Sequence, residues 1–334
     1  MNFEMPIRIP TLTENEKSRP FWSVIVPTYN PIKDYLEQTL RGVLAQDPGP
    51  DQMRIEVIDD CSPSVDVAAM VQEIAGDRVK VFRSPVNRGL AGCWNTCIER
   101  AHGEWIHILH QDDLVFPGFY ESLRRGIEAN PQVGAACCRH SYCDENGHWH
   151  RLSILEMASS GVLPRFVEPL IREERFQCAA ITVRRSTYEQ IGGFNPNLSH
   201  TLDWEMWIRI ANKFPIFYEP KILASWRNHS NATTSHQIRS GENIRDHAKA
   251  ISIWKNHLLE DEGQRLSAIA LNRSAEAGLW MARHLLAQND FEGCVNQVNA
   301  ALVCKSTFRF WIAATKIRVK AHIKRLTTAK QVVK

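Results

Sequence analysis

The stretch Gly103–Tyr120, GEWIHILHQDDLVFPGFY, decides how the chain is read. Its first half, Trp105-Ile106-His107-Ile108-Leu109, is an apolar run of strand length. It then turns polar at His110-Gln111 and ends in two adjacent carboxylates, Asp112 and Asp113. A turn needs at most one Asp. Two side by side repel each other unless positive charge lies near them. The second acid therefore asks for a function beyond turning the chain.

Working outward, other apolar runs end in the same way. Phe21–Val26 (FWSVIV) is a buried-strand pattern that stops at the turn residues Pro27-Thr28-Tyr29-Asn30-Pro31. Residues 32–46 carry Ile32, Leu36, Leu40, Val43 and Leu44 at helical spacing. Residues 54–58 (RIEVI) form a second strand, ending in Asp59-Asp60-Cys61-Ser62. A helix over 65–75, a strand over 79–82 and a helix over 90–101, led by Asn87-Arg88-Gly89, complete the first part. Strands alternating with helices predict βαβ units and a mostly parallel, Rossmann-like central sheet flanked by helices. In such sheets ligands sit outside the carboxyl ends of the strands. Thr28-Tyr29-Asn30, Asp59-Asp60 and His110 to Asp113 all fall at those ends, so they are expected to converge on one edge.

The second half reads differently. Residues 133–152 predict a hairpin turning at Asn146-Gly147. A strand over 177–184, a Gly192-Gly193 turn, a helix over 203–212 and strand pieces at 216–218 and 222–226 follow. Helices are expected over 242–260, 263–288, 291–303 and 308–326. Residues 268–303 resemble one tetratricopeptide hairpin, too little for a repeat array. The organisation is a polar leader (1–20), an α/β domain (21–235) and a helical C-terminal region with a basic tail (240–334).

Composition sets the frame. The 334 residues are 44% hydrophobic and 23% charged, an ordinary globular balance. The first residues show no charged-then-apolar signal, and no apolar run approaches a membrane span. Nine cysteines with no export signal point to reduced thiols and a cytoplasmic setting. Cys93-x-x-x-Cys97 and Cys137-Cys138 lack a second pair at zinc-site spacing and read as small buried apolar groups. The net charge of +3 hides an asymmetry. Residues 293–334 hold nine Lys/Arg and no acid, leaving 31 Lys/Arg against 37 Asp/Glu, net −6, elsewhere. Such a tail predicts an anionic partner, an anionic membrane surface at the inner face before nucleic acid.

VIVPTYN (24–30), VIDDCS (57–62), NRGLAGCWN (87–95), ILHQDD (108–113), IGGF (191–194), LDWEMWIR (202–209) and WRNH (226–229) occur in an order that resembles glycosyltransferase family 2. The resemblance covers roughly residues 20–235 and implies a GT-A fold with a C-terminal helical extension. It further implies inverting sugar transfer from a nucleotide-sugar donor, of UDP or dTDP type, to a saccharide or lipid-linked acceptor. Polysaccharide or glycolipid synthesis is the implied setting.

On that resemblance Asp112 matches the metal-binding acid of a D-x-D element, with Asp113 beside it. Carboxylate oxygens suit Mg²⁺ or Mn²⁺ bridging a diphosphate. Pro27, Thr28, Tyr29, Asn30, Asp59 and Asp60 match nucleotide contacts, Tyr29 offering a ring for the base and an Asp accepting a ring N–H. Asn87 and Arg88 match the loop approaching the donor. His110 stands where many relatives have Asp, and either hydrogen-bonds a ribose or is a satisfied strand-end ring. Trp226-Arg227-Asn228-His229 matches an aromatic-Arg-x-His element, with Arg227 toward phosphate and His229 toward metal, or both structural. Asp203 matches the family's catalytic base. It shares a helix face with Met206, Trp207 and Ile210, where a carboxylate is capped, paired or functional. Leu202 replaces a family Glu, so Asp203 acts alone. Glu205 and Arg209, at i and i+4, read as a surface ion pair.

Two other readings stand beside this one. A nucleotidyltransferase on a similar sheet needs a Gly-rich or basic loop after the first strand, and PTYNP has neither Gly nor Lys. A nucleotide-sugar-binding protein with impaired catalysis fits the replacements at His110 and Leu202.

Overall fold

The structure, a computed structural model, describes residues 7–12, 19–229 and 233–332. It contains two compact units. The first comprises Met1–Leu170, Glu174–Pro196 and Met206–Asn228; the second comprises Ile171–Glu173, Asn197–Glu205 and His229–Lys334.

The first unit begins with β1 (Trp22–Thr28), buried at all seven positions. That is the pattern of a strand covered on both faces of a parallel sheet. Then come α1 (Lys33–Leu44), β2 (Met53–Asp59), α2 (Val67–Ala75), β3 (Lys80–Arg83), α3 (Gly89–Arg100) and β4 (Trp105–Ile108). The helix α1 turns Leu36, Thr39, Leu40 and Val43 inward. Fully burying one such aliphatic side chain contributes about 1.5–3 kcal/mol. The aspartate that caps α2 is Asp66, accepting the Ala69 N–H at 3.0 Å, so the Asp59-Asp60 pair is left for other duties.

The chain continues through β5 (Leu114–Val115), α4 (Phe119–Ala129), β6 (Ala135–Cys143), β7 (Trp149–Leu152), β8 (Gly161–Val162), α5 (Val167–Arg172), β9 (Ile181–Arg184), α6 (Arg185–Ile191), α7 (Leu202–Lys213) and β10 (Ile216–Arg227). The sheet order is β3-β2-β1-β4-β9-β6-β10-β5, with β7 on β6 and β8 on β10. Its β3-β2-β1-β4 half is wholly parallel. The other half is mixed, because β9 enters antiparallel between β4 and β6 while β10 runs parallel to β6. The two strand pieces expected around 216–226 are one strand with register shifts between Glu219 and Ala224, flanking Pro220, which has no N–H to give a ladder. The expected hairpin is β6–β7, turning through Gly147 at φ 84°. Part of the stretch read as a leader is docked: Ile9 is buried, and the Ile7 carbonyl accepts the Gly193 N–H at 2.8 Å. The rest of that leader, residues 1–6 and 13–18, lies outside the described residues.

The second unit holds α8 (Thr233–Ser240), α9 (Glu242–Trp254), α10 (Glu260–Ala287), α11 (Phe291–Cys304) and α12 (Phe308–Val332). Its core is built from Ile244, Leu279, Leu285, Val298, Phe310 and Ile317, among others. The helix expected over 242–260 ends at Trp254, where a 3-10 turn, Lys255–His257, reorients the chain before α10. No helix among the described residues is long and apolar enough to cross a membrane.

Candidate active site

In the first unit the three strand ends are stitched into one edge. The Asp60 N–H donates to the Thr28 carbonyl at 2.9 Å, and the Thr28 hydroxyl to the Ile58 carbonyl at 3.1 Å. The Asn30 N–H donates to the Ser62 hydroxyl at 2.8 Å. From the β4 end, the Gln111 side-chain oxygen accepts the Tyr29 N–H at 2.9 Å. Asn30 and Cys61 both sit in the left-handed backbone region, with φ 45° and 64°. Non-glycine residues held there cost about 1–3 kcal/mol each, and such strain gathers at functional sites.

Asp59 and Asp60 divide their labour. Asp59 is buried, pairs with Arg83, and accepts the Ser62 N–H at 2.9 Å. Asp60 accepts the Arg88 N–H at 2.9 Å, which fixes the Asn87-Arg88-Gly89 turn. Burial pushes the Asp60 carboxyl above the ordinary carboxylate value, opposed by the N–H groups of Arg88 and Gly89. Gly89, at φ 69°, supplies the turn, and the Asn87 side chain accepts its N–H at 2.9 Å. The Arg88 guanidinium lies 3.3 Å from the Thr96 hydroxyl. Tyr29 is 46% exposed. Pro27, within β1, is buried.

The acid pair also separates. Asp113 is only 1% exposed; one carboxylate oxygen accepts the Arg227 N–H at 2.9 Å and the other lies 3.5 Å from His110 Nδ1. Burial raises the Asp113 carboxyl above its ordinary value, aided by the Asp112 charge and opposed by His110 and the Arg227 N–H. Asp112 is partly exposed and gives its backbone carbonyl to Arg227 Nε at 2.8 Å. The His110 ring stacks on Trp94 at 4.7 Å. Arg227 is 1% exposed, and its guanidinium is spent inside the unit. Besides the Asp112 carbonyl it reaches the Glu145 carbonyl at 3.0 Å and the Gln38 side chain at 2.7 Å, beneath the Tyr35 ring.

A divalent ion fits one carboxylate of this set. No group of three or more His, Cys, Asp or Glu comes together as an all-protein cage among the described residues. Mg²⁺ and Mn²⁺ shared with a diphosphate need only one or two carboxylates, the remaining ligands being phosphate and water. The partly exposed member of the pair, Asp112, has the carboxylate chemistry for that role.

The Gly192-Gly193 turn uses its two glycines for different reasons. Gly192 sits at φ 84°. At Gly193 a Cβ would lie 2.2 Å from Asn95 Oδ1, because the Asn95 side chain brackets the next residue, accepting the Phe194 N–H at 2.7 Å and donating to its carbonyl at 2.9 Å. Glu205 and Arg209 are not a surface pair. Both are buried, and Arg209 donates to the Ile191 and Gly193 carbonyls at 2.7 and 2.8 Å.

Asp203 and His229 belong to the second unit. Asp203 lies in the first turn of α7, inside the helix rather than at its cap, partly buried, with one carboxylate oxygen 2.8 Å from the Trp204 N–H. Leu202 beside it is fully buried. The preceding loop is held by Asp246 on α9, whose Oδ2 accepts the N–H groups of Ser199, His200 and Thr201 at 3.1, 2.8 and 2.9 Å. The His229 carbonyl accepts the Ser235 hydroxyl at 3.4 Å.

Sequence reasoning missed Gln111, Trp94, Asn95 and Asp246. Gln111 sits inside the His110–Asp113 cluster and was within reach. Nothing local marks Asp246, whose partners lie about 45 residues away.

The family model "Glycosyl transferase family 2" matches residues 23–194, more than half of the chain and all three strand ends. The chain belongs to glycosyltransferase family 2. An uncharacterized protein of Mycobacterium tuberculosis is 26% identical over 256 residues, 70% of this chain and 76% of that relative. An uncharacterized glycosyltransferase of Rickettsia felis is 24% identical over 250 residues, 72% of this chain and 38% of the relative. The succinoglycan biosynthesis protein ExoO of Rhizobium meliloti is 35% identical over 111 residues, 33% of this chain and 30% of that protein. Among solved structures, S. aureus TarS 1-349 in complex with UDP-GlcNAc superposes with TM-score 0.63 at 18% identity, over 90% of this chain and 88% of that one. The Pyrobaculum calidifontis mannosyltransferase in complex with GDP-Man and Mn²⁺ superposes with TM-score 0.53 at 21% identity, over 97% and 91%. The architecture is thus the GT-A fold of glycosyltransferases, with a helical region after it.

Proposed function

We propose that this family 2 glycosyltransferase is an inverting, metal-dependent enzyme that moves a sugar from a nucleoside-diphosphate donor to a hydroxyl of a saccharide or lipid-linked acceptor, in polysaccharide or glycolipid synthesis. The observation that carries the reading is the joined edge of β1, β2 and β4, where Asp113 is buried and its neighbour Asp112 is partly exposed. The neighbours' complexes with UDP-GlcNAc and GDP-Man and the succinoglycan relative support the donor and product classes. All nine cysteines are free thiols, which supports a reducing, cytoplasmic setting.

In this reading the donor's base lies on Tyr29, its diphosphate near Arg88 and Asp112, and its ribose near His110. Thr28, Asn30, Asp59, Asp60 and Asn87 shape the backbone around it, and Arg227 holds the Asp112 loop by its carbonyl. Asp112, with His229 as a further candidate, would hold Mg²⁺ or Mn²⁺, which would supply positive charge to the departing diphosphate. Asp203 takes the proton of the acceptor hydroxyl. That oxygen bonds to the anomeric carbon as the carbon–diphosphate bond breaks on the opposite side, through an oxocarbenium-like transition state.

A thermal-shift panel of nucleotide sugars with Mn²⁺ tests the donor class, since a ligand that binds only the folded state stabilises it by about 2.7 kcal/mol at a hundred times its Kd. Stabilisation by a UDP- or dTDP-sugar, followed by its turnover with an acceptor extract, supports the reading. Failure of every nucleotide sugar to stabilise the protein overturns it, and stabilisation without turnover favours a binding protein.

A further inference from the structure

The helix α12 has two apolar faces. Phe310, Ala314, Ile317 and Ala321 are buried in the second unit's core. Phe308, Trp311, Ile312, Val319, Ile323 and Leu326 are exposed, between 39% and 82%. At 3.6 residues per turn these six fall within about 60° of one line along the helix, opposite the buried set. The exposed stripe runs about 27 Å at 1.5 Å per residue. Arg309, Lys316 and Lys320 border it on one side and Arg318 and Arg325 on the other. The chain has no acid between Gly293 and Lys334.

We propose that this outward face of α12 docks the protein on an anionic lipid surface. An apolar stripe that includes Trp and Phe, bordered on both sides by Lys and Arg, is built to lie in the plane of a headgroup layer. The rings and aliphatic side chains enter the acyl boundary, and the basic side chains extend outward to lipid phosphates. Charge selects this occupant. A second copy of the chain, paired through the same face, would set basic border against basic border, with no acid on the helix itself. A spanning arrangement is excluded by the helix's own charge and hydropathy.

The test uses the full chain with vesicles of phosphatidylcholine alone and of phosphatidylcholine mixed with phosphatidylglycerol. The protein is expected to co-sediment with the anionic vesicles at least about tenfold more tightly than with the neutral ones, and to be released by salt. Two variants probe separate parts of the face: Trp311→Ser with Val319→Ser, and Lys316→Glu with Lys320→Glu. Each is expected to weaken vesicle binding about tenfold or more while the circular-dichroism spectrum is kept. All four positions are exposed, so if one pair perturbs the fold the other still decides. Absence of co-sedimentation, equal binding to neutral vesicles, or undiminished binding by a folded variant overturns the proposal. So does concentration-dependent self-association that the same variants abolish without any vesicle binding.

Discussion

One oxygen of Asp246 accepts both the backbone N–H of Thr201, at 2.9 Å, and its hydroxyl, at 3.0 Å. With the Ser199 and His200 N–H groups on that oxygen as well, a fully buried carboxylate from α9 fixes the loop from which α7, and Asp203 with it, departs. Hydrogen bonds to a charged group are each worth about 1.5–3 kcal/mol, and buried donors left without an acceptor cost more still. Asp246→Ala is therefore expected to lower the unfolding free energy by about 3 kcal/mol or more and to depress kcat. Asp246→Asn, which keeps an acceptor oxygen, should recover part of both. Urea unfolding and steady-state kinetics on the two variants check this; equal stability of Asp246→Ala and the parent would contradict it.

Asp203→Asn removes the base and leaves a side chain of the same shape. A loss of about 10²–10⁴ in kcat is expected, with donor binding retained. Transfer at the parent rate would show that the proton goes elsewhere.

The neighbouring acids of the β4 end should respond differently. Asp112→Asn is expected to abolish metal-dependent transfer with little change in melting temperature. Asp113→Asn, at a buried position bonded to the Arg227 N–H, should destabilise the fold by about 1–3 kcal/mol. Chelation by EDTA should stop the reaction and added Mn²⁺ restore it; activity that survives EDTA would remove the metal from the mechanism.

Acid should destabilise each unit through a buried histidine. Burial holds His107, in the first unit, and His247, in the second, at about 3 rather than the ordinary 6.5. Both rings are thus neutral when folded and take up a proton on unfolding between about pH 6.5 and pH 3. Their contribution is complete above that pH and is lost as pH falls toward 3, by up to about 1.4 kcal/mol per pH unit for each ring. Melting temperatures between pH 7 and pH 4 should fall, and His107→Gln, at a ring placed 3.1 Å from the Tyr120 hydroxyl, should flatten that slope. A pH-independent melting temperature in this range would rule the effect out.

Much of the first unit was legible because its signals are local. FWSVIV, RIEVI and WIHIL carry the burial of their strands in their own composition, and each ends in residues that cannot continue a strand. The half beyond β4 was less legible. β5 and β8 are two residues each, too short for any period to register, and β9 owes its antiparallel place between β4 and β6 to partners more than 40 residues away. Glu205 and Arg209 read as a surface pair because i, i+4 spacing says that two side chains meet but not whether they face water. Folding put both inside.

The sequence by itself determined the α/β class, the three polar strand ends and the family, since these rest on residue order and short-range pattern. The tertiary structure alone decided which polar groups face outward. Asp112 and Asp113 are neighbours in sequence, yet only Asp113 turns in, where the Arg227 N–H and the His110 ring await it. Arg227 turns in because its guanidinium meets carbonyls of Asp112 and Glu145 that lie 115 and 82 residues away. A buried polar group must find its partner, and such partners are set by the packing of distant segments.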